Sequence, residues 1–293
     1  MILVTGGSGF VGSHLIPRMV ESGHRIRCLV PRPAEGLRGR GVEVVMGDVT
    51  DPESLKTAMS GVEAVVHLVG ILRESRGASF SGVNVQGTRN VLQAAQDSGV
   101  KRFIHIGVLG ASPDPRYGYL YSKWLGEEAV RSSQLDFTIL RPAAMFGAGA
   151  GFINRLAGSL KMFPLLAPIA GPGKSRFQPI WVEDVVTCIL KALQGGKIGQ
   201  SCEIGGPEHL TYEQMLDTVM QALGKRWLKI HVPLVLMRPA VMVMEKLVGD
   251  LPVTLGELDQ LELDSITDLD SVERQFGFRP LPLSQGLDYL RPA

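Results

Sequence analysis

The sequence predicts an α/β protein: a doubly wound parallel sheet carrying a smaller, mostly helical C-terminal lobe. Three observations lead there. Over about the first 145 residues, short β-branched runs alternate with helical patterns. Several of those runs are apolar almost throughout, as strands covered on both faces of a parallel sheet are. Helix boundaries are marked where the alternation requires them: Asp51-Pro52 reads as an N-cap followed by proline at the first helical position, and Gly23 and Gly99 stand where helices should end.

Taken in order, the strand signals are Ile2–Thr5, Arg25–Val30, Glu43–Met46, Ala64–Leu68, Arg102–Ile106 and Phe137–Leu140. Between them, Gly12–Ser22, Pro52–Met59, Asn84–Ser98 and Tyr119–Ser132 carry helical spacing. Repeated βα units of this kind build a doubly wound sheet. After residue 145 the rhythm loosens, with glycine and proline clustered at Gly147–Gly151 and Ala170–Gly173. Helical patterns follow at Val182–Leu193, Thr211–Leu223 and Pro233–Leu247, and Ser201–Ile204 returns as a strand. The expected organisation is therefore a nucleotide-binding domain over 1–145 and a smaller substrate or partner lobe over 146–293, interleaved with the sheet.

Composition narrows the function classes. The chain has 293 residues, 45% hydrophobic and 20% charged, the balance of a globular protein. A net charge of +1 gives no basic excess for nucleic acid, so no nucleic-acid partner is expected. Cys28, Cys188 and Cys202 are odd in number and far apart, which points to buried thiols in a reducing compartment and to no clustered metal site. Met1-Ile-Leu-Val-Thr-Gly is already a strand entering a turn, leaving no room for a signal peptide. The most apolar stretch, Val232–Val248, is interrupted by Arg238, Pro239, Glu245 and Lys246 and is too short and too charged for a span of ~20 apolar residues. A cytoplasmic protein, monomer or homodimer, is the expectation. The Val232–Val248 stripe reads first as core, with an amphipathic lid or a membrane- or partner-facing surface as the alternatives.

The most specific motif is Thr5-Gly-Gly-Ser-Gly-Phe-Val-Gly12, between the first strand and the first helix. Glycines 7, 9 and 12 fit the dinucleotide fingerprint; glycines 6, 9 and 12 fit the variant with one more residue in the turn. Glycine is required because the backbone turns sharply and a β-carbon would block a pyrophosphate from the N–H groups at the helix start. This predicts a Rossmann nucleotide site at Gly6, Ser8, Gly9, Phe10, Val11 and Gly12. No Gly-Lys-Ser/Thr follows, which excludes a nucleoside-triphosphate loop. About 20 residues on, an NAD site places a carboxylate on the ribose. Here the second strand ends Cys28-Leu-Val-Pro-Arg-Pro33, with no acid before Glu35. Arg32 stands where a guanidinium could grip a 2′-phosphate, which favours NADP(H) over NAD(H).

With that turn in place, further segments resemble the extended and atypical short-chain dehydrogenase/reductases. Gly47-Asp48-Val49-Thr50-Asp51 resembles the segment lining the adenine pocket, which implies Asp48 and Val49. Val66-His67-Leu68-Val69-Gly70 resembles the turn beside the cofactor ribose, which implies Leu68, Val69 and Gly70. Asn84-Val-Gln-Gly-Thr-Arg-Asn-Val-Leu92 matches Asn-x-x-Gly-Thr, and Tyr119-Leu-Tyr-Ser-Lys123 matches Tyr-x-x-x-Lys. In the C-terminal half, Leu140–Gly147, Phe177–Val185, Glu203–Glu208, Leu251–Leu261 with Asp264, and Gly277–Pro280 resemble the subgroup related to the 39 kDa accessory subunit of respiratory complex I.

The resemblance implies a proton-transfer pair. Tyr119 and Lys123 lie one helical turn apart on one face. In the family the tyrosine exchanges a proton with the substrate oxygen, while the lysine favours the phenolate and holds the nicotinamide ribose. Tyr117 and Tyr121 have no lysine four residues on. The fifth strand departs from the family: Phe103-Ile-His-Ile-Gly107 places glycine where serine or threonine usually donates a hydrogen bond to the reacting oxygen. Losing such a donor costs on the order of 100-fold in rate. His67 and His105, in apolar strands, read as core or cofactor-side histidines, and Glu183 and Asp184 as acids favoured by a helix dipole.

Two functions follow as expectations. The first is an NADP(H)-dependent oxidoreductase or epimerase-like enzyme acting on an unknown small molecule. That substrate would sit in the crevice at the carboxyl ends of the strands. The second is an assembly, structural or sensor protein that holds NADPH without turnover.

Overall fold

The computed structural model describes residues 1–37, 39, 41–149, 151–162, 165–247, 258 and 260–291. Most of the subgroup-like stretch at 251–261, and the last residue of the 232–248 stripe, therefore lie outside the described residues.

The strands of the first half assemble as the alternation predicts. β1 (Ile2–Thr5), β2 (Ile26–Val30), β3 (Val42–Met46), β4 (Ala64–His67), β5 (Arg102–Ile106) and β6 (Asp136–Pro142) lie side by side. With β11 (Gln200–Ile204) they form a seven-stranded sheet in the order β11-β6-β5-β4-β1-β2-β3. Every neighbouring pair from β3 to β6 is parallel. The order reverses direction at β1, with β2 on one side and β4 on the other, and that is where ligands bind in open sheets of this kind.

Helices α1 (Phe10–Glu21), α2 (Pro52–Ala58), α3 (Thr88–Asp97), α4 (Gly118–Arg131) and α6 (Val182–Leu193) connect or flank the strands. Their local chemistry accounts for their ends. Asp51 accepts from the Glu53 N–H ahead of Pro52 and so starts α2. Gly23 and Gly99 take positive φ directly after the caps of α1 and α3. Leu55, Ala58, Val91, Leu92, Val130 and Phe103 meet in a fully buried core with the sheet. All three cysteines are buried, free thiols.

One helix differs from its expected form. The spacing predicts a single helix over Asn84–Ser98, but Ser81–Gly87 is π-helical and only then does α3 begin. The segment packs closely: a Cβ on Gly87 would lie 2.8 Å from Val49 Cγ2, so it is seated against the loop after β3. Single π turns inside helices are often found at functional sites.

The chain divides into two compact units, 1–142 with 183–203, and 143–182 with 204–293. The segment 183–203 thus belongs to the first unit, whereas a boundary at 145/146 would place it in the second. The second unit holds α5 (Phe152–Met162), α7 (Tyr212–Ala222), α8 (Leu234–Leu247) and α9 (Ser271–Phe276). It also contains paired short strands that sequence patterning does not mark. β7 (Met145–Phe146) pairs with β10 (Ile180–Trp181), β9 (Arg176–Phe177) with β12 (Leu210–Thr211), and β8 (Leu166–Ala170) with β13 (Leu228–Val232). Phe146, Ile153, Ala167, Ile169, Met215 and Val219 form its own core. Among the described side chains of α8, the stripe read first as core turns Val235, Leu236 and Met242 outward. No helix among the described residues is long and apolar enough to cross a membrane.

Candidate functional site

The glycine turn follows β1 directly, and contacts dictate its glycines. Gly6 has φ +77°, and a Cβ there would lie 3.0 Å from the Leu68 carbonyl carbon and the Val69 nitrogen. A Cβ on Gly12 would lie 2.5 Å from the Gly6 oxygen and from Gly7 Cα, so the first turn of α1 rests on the loop itself. A Cβ on Gly7 would lie 2.8 Å from Cys28 Sγ. The two glycine readings are therefore both occupied: Gly7 packs inward on β2, while Gly6 makes the turn. The Gly9 N–H donates to the Gly6 carbonyl at 2.9 Å and closes the loop. Ser8 and Gly9 are exposed, Phe10 is half-buried and Val11 is buried.

Asp51 caps α2 and a Thr211/Gln214 capping box caps α7, whereas α3, α4 and α9 have no side-chain cap. α1 starts on Gly9 with no side-chain cap and no acid in its first turn. Its N–H groups and positive dipole end remain for an anion. The cradle fits a dinucleotide pyrophosphate on two counts: glycines a Cβ could not replace, and a helix start without its own acceptor.

The loops at the carboxyl ends of β3 and β4 frame this turn. Asp48 accepts from the Thr50 N–H at 2.8 Å and from its hydroxyl at 2.7 Å, which shapes the turn. Buried Val49 accepts, through its carbonyl, from Asn90 Nδ2 at 3.0 Å. Leu68 and Val69 are half-buried and Gly70 is exposed. Arg32 is exposed at the bend after β2. The β1–β2 register places Leu29 beside Thr5, so that bend continues from the strand end next to the glycine turn.

Asn84 ties these parts together. Its Oδ1 accepts from the Ile71 N–H at 2.8 Å, and its Nδ2 donates to the Ile71 carbonyl at 3.1 Å and to Ser122 Oγ at 3.0 Å. Ser122 Oγ donates in turn to the Tyr119 carbonyl at 2.7 Å. The π turn thus couples the loop after β4 to the start of α4. Tyr119 is half-buried, with its ring 5.9 Å from that of Phe80. Lys123 is buried, and its Nζ donates to the Ile106 carbonyl at 2.7 Å, at the end of β5. A Cβ on Gly70 would lie 3.5 Å from both Lys123 Nζ and Asn84 Oδ1, so the three residues converge at one point. Burial lowers the Lys123 pKa to about 8, opposed by the negative charge of Glu127. The ammonium is therefore mostly charged at neutral pH and poised to lose its proton just above it.

Glu127, one turn beyond Lys123, is a residue that sequence reasoning missed. It is fully buried, and its Oε2 accepts from Arg141 Nε at 2.8 Å, Arg141 Nη2 at 2.6 Å and Arg131 Nη2 at 2.8 Å. Its Oε1 has no hydrogen-bond partner. A Cβ on Gly107 would fall on that oxygen and 3.0 Å from the carboxyl carbon. The signal was present as helical spacing, since Tyr119, Lys123 and Glu127 recur every four residues on one face of α4.

Behind this face lies a buried histidine pair. Thr5 and His67, and His67 and His105, are register partners across β1, β4 and β5. His67 bonds Thr5 Oγ1 at 2.7 Å and Thr88 Oγ1 at 3.0 Å, and Thr88 donates to the Asn84 carbonyl at 2.8 Å. His105 stacks on His67 with ring centroids 5.4 Å apart, and neither of its ring nitrogens has a partner. Burial, reinforced by the Lys123 charge, lowers the His67 pKa to about 3 and holds His105 well below its ordinary value. Both rings are neutral parts of the scaffold. Glu183, at the start of α6, pairs with His14 at 2.6 Å and Arg18 at 3.3 Å, which makes it a tie between α6 and α1.

A parallel sheet with a glycine cradle at its switch point, and a Tyr/Lys helix beside it, defines a dinucleotide-binding protein of the short-chain type. Residues 2–205 match the NAD dependent epimerase/dehydratase family, and the chain belongs to that family. It is 29% identical over 280 residues to NADH dehydrogenase (ubiquinone) 1 alpha subcomplex subunit 9, mitochondrial, of Arabidopsis thaliana, covering 91% of this chain and 68% of that protein. This agrees with the resemblance carried by the C-terminal motifs. A 3-beta-hydroxysteroid dehydrogenase of Mycolicibacterium neoaurum is 27% identical, over 96% of this chain and 87% of the relative. Among solved structures, the dTDP-glucose 4,6-dehydratase DesIV of Streptomyces venezuelae, with NAD and TYD bound, superposes with a TM-score of 0.72. It is 24% identical, covers 99% of this chain and 95% of its own, and shares the fold.

Proposed function

We propose that this chain is an NADP(H)-dependent oxidoreductase or epimerase-like enzyme in which Tyr119 and Lys123 manage the proton. The observation that carries the reading is Lys123: a buried ammonium held on the Ile106 carbonyl, one turn from Tyr119 and against the Gly70 loop. Burying a charge is costly, and strongly perturbed buried ionisable groups cluster at functional sites.

In this reading Gly6, Ser8, Gly9, Phe10, Val11 and Gly12 hold the pyrophosphate, and Arg32 takes the 2′-phosphate. Asp48 and Val49 line the adenine side, and Leu68, Val69, Gly70 and Asn84 the ribose side. The nicotinamide, when the cofactor is bound, would donate a hydride in reduction or accept one in oxidation. The Tyr119 hydroxyl gives a proton to, or takes one from, the substrate oxygen. The Lys123 charge favours the phenolate and so makes that exchange easier near neutral pH. Gly107 supplies no side-chain donor to the reacting oxygen, so in this reading Tyr119 orients it. The hydroxysteroid dehydrogenase among the relatives supports a secondary alcohol or ketone on an apolar skeleton as the substrate class.

The Gly107–Glu127 packing and the Arabidopsis relative support a second reading, in which NADPH is held as a structural or regulatory ligand without turnover. Replacing Tyr119 with Phe separates the two. Under the first reading, turnover of hydroxysteroid or ketone substrates falls by at least about 100-fold while NADPH binding persists. Under the second, the wild-type chain shows no turnover for the substitution to remove.

A further inference from the structure

We infer that the second unit carries a docking surface for an anionic phospholipid bilayer, built from the two-stranded sheet β8/β13 and the start of α8. None of its residues belongs to the nucleotide site proposed above.

The two faces of the sheet differ: one carries Ala167 and Ile169 beside Lys229 and His231, both ion-paired with Glu213, and the other is wholly apolar and turned to water. On its inner face, Ala167 and Ile169 of β8 are buried in the core of the unit. The intervening residues point the other way, because successive side chains of a strand alternate between faces. The parallel register sets Leu166 beside Leu228 and Pro168 beside Ile230 on that outer face. Leu166, Pro168, Leu228 and Ile230 are all exposed. A half-covered sheet normally turns polar residues to water. The apolar surface continues at both ends: Leu165, whose carbonyl accepts from the Leu228 N–H at 2.9 Å, is 75% exposed, and Val235 in the first turn of α8 is 81% exposed. Leu236 and Met242 are exposed on the same helix.

The charge at the rim identifies the occupant. The Trp227 indole N–H donates to the Leu160 carbonyl at 3.0 Å. That bond brings the next residues of each segment, Arg226 and Lys161, to one end of the sheet, with Lys225 beside them; all three are exposed. The neighbouring acids Glu213 and Asp217 are paired with Lys229, at 2.7 and 3.0 Å, and Glu262 is paired with Arg238. From 225 to 247 the chain has five Lys or Arg and one acid, Glu245, although its overall charge is only +1. Apolar side chains flanked by clustered cations match a bilayer interface, where the former enter the acyl boundary and the latter meet anionic headgroups.

The test is sedimentation of the full chain with vesicles of phosphatidylglycerol and phosphatidylcholine, against vesicles of phosphatidylcholine alone. Wild type is expected to pellet with the anionic vesicles, and its partitioning to fall several-fold as salt is raised past a Debye length of ~8 Å. Leu228→Asp/Leu236→Asp should reduce partitioning by about tenfold or more, and Lys225→Glu/Arg226→Glu should abolish the preference for anionic vesicles, both with an unchanged Tm. Wild type remaining in the supernatant, or both variants pelleting as wild type does, overturns the proposal. So does a wild-type dimer that Leu228→Asp/Leu236→Asp dissociates in light scattering without any vesicle binding, which would assign the surface to a second copy of the chain.

Discussion

The Glu127 carboxylate occupies the space where a side chain on Gly107 would begin, and Arg141 Cγ stands 3.3 Å from the same point. Glycine at the end of β5 is thus the partner of a buried glutamate one turn beyond Lys123. Restoring the family's serine by Gly107→Ser should not improve turnover. It should destabilise the fold by about 1–3 kcal/mol, as overpacking does. Combined with Glu127→Ala, the loss should be smaller than the sum of the single losses by about 1 kcal/mol or more, measurable by urea unfolding of the double-mutant cycle.

The glycine turn makes a second, graded prediction. A Cβ on Gly12 would lie 2.5 Å from loop backbone, whereas one on Gly9 would lie 3.2 Å from the Gly6 oxygen. Gly12→Ala should therefore cost about 2 kcal/mol or more and Gly9→Ala less than about 1 kcal/mol. Equal losses in thermal unfolding would contradict the packing described for α1.

Lys123 makes a pH prediction. Its pKa of about 8 lies below the ordinary lysine 10.5 because of burial. Turnover should decline on an alkaline limb near pH 8 as the ammonium is lost. The effect on stability runs the other way. Between about pH 8 and 10.5 the unfolded chain binds this proton and the folded one does not, so this residue's contribution to stability rises with pH there. Lys123→Met should remove both effects, seen in paired pH–rate and pH–stability profiles.

The histidine pair separates a satisfied imidazole from an unsatisfied one. His67→Leu leaves the buried hydroxyls of Thr5 and Thr88 without their shared partner and should cost about 2–4 kcal/mol. His105→Leu removes a ring that bonds nothing and should cost under about 1 kcal/mol or stabilise. Because His67 stays neutral down to about pH 3, the unfolded chain alone binds its proton below pH 6.5, and wild-type stability should fall as pH drops through that window. His67→Leu should flatten the fall.

Much of the first unit could be read from the chain because each of its cues is local. Asp51-Pro52, Gly23 and Gly99 mark helix ends by their own backbone requirements, and the apolar runs of β1, β4 and β5 announce strands buried on both faces. The glycine turn was readable for the same reason, since it is one contiguous loop. Glu127 was not, because its importance arises from Gly107 and Arg141 on other strands. Helical spacing carries no trace of the π turn at Ser81–Gly87 either, nor of its packing on Val49. The two-residue strands of the second unit are too short for alternation to show, and β8/β13 turns Leu166, Pro168, Leu228 and Ile230 away from the core that Ala167 and Ile169 enter. The Val232–Val248 stripe likewise reads as core in sequence, and in its described part Val235, Leu236 and Met242 are exposed.

The most direct test of the central claim is a calorimetric titration of cofactor-stripped protein with NADPH and with NADH. The account predicts one NADPH per chain and NADH at least about tenfold weaker, with that difference abolished by Arg32→Ala, since the guanidinium is assigned to the 2′-phosphate. Binding of neither nucleotide would contradict the account, leaving a nucleotide cradle without its ligand.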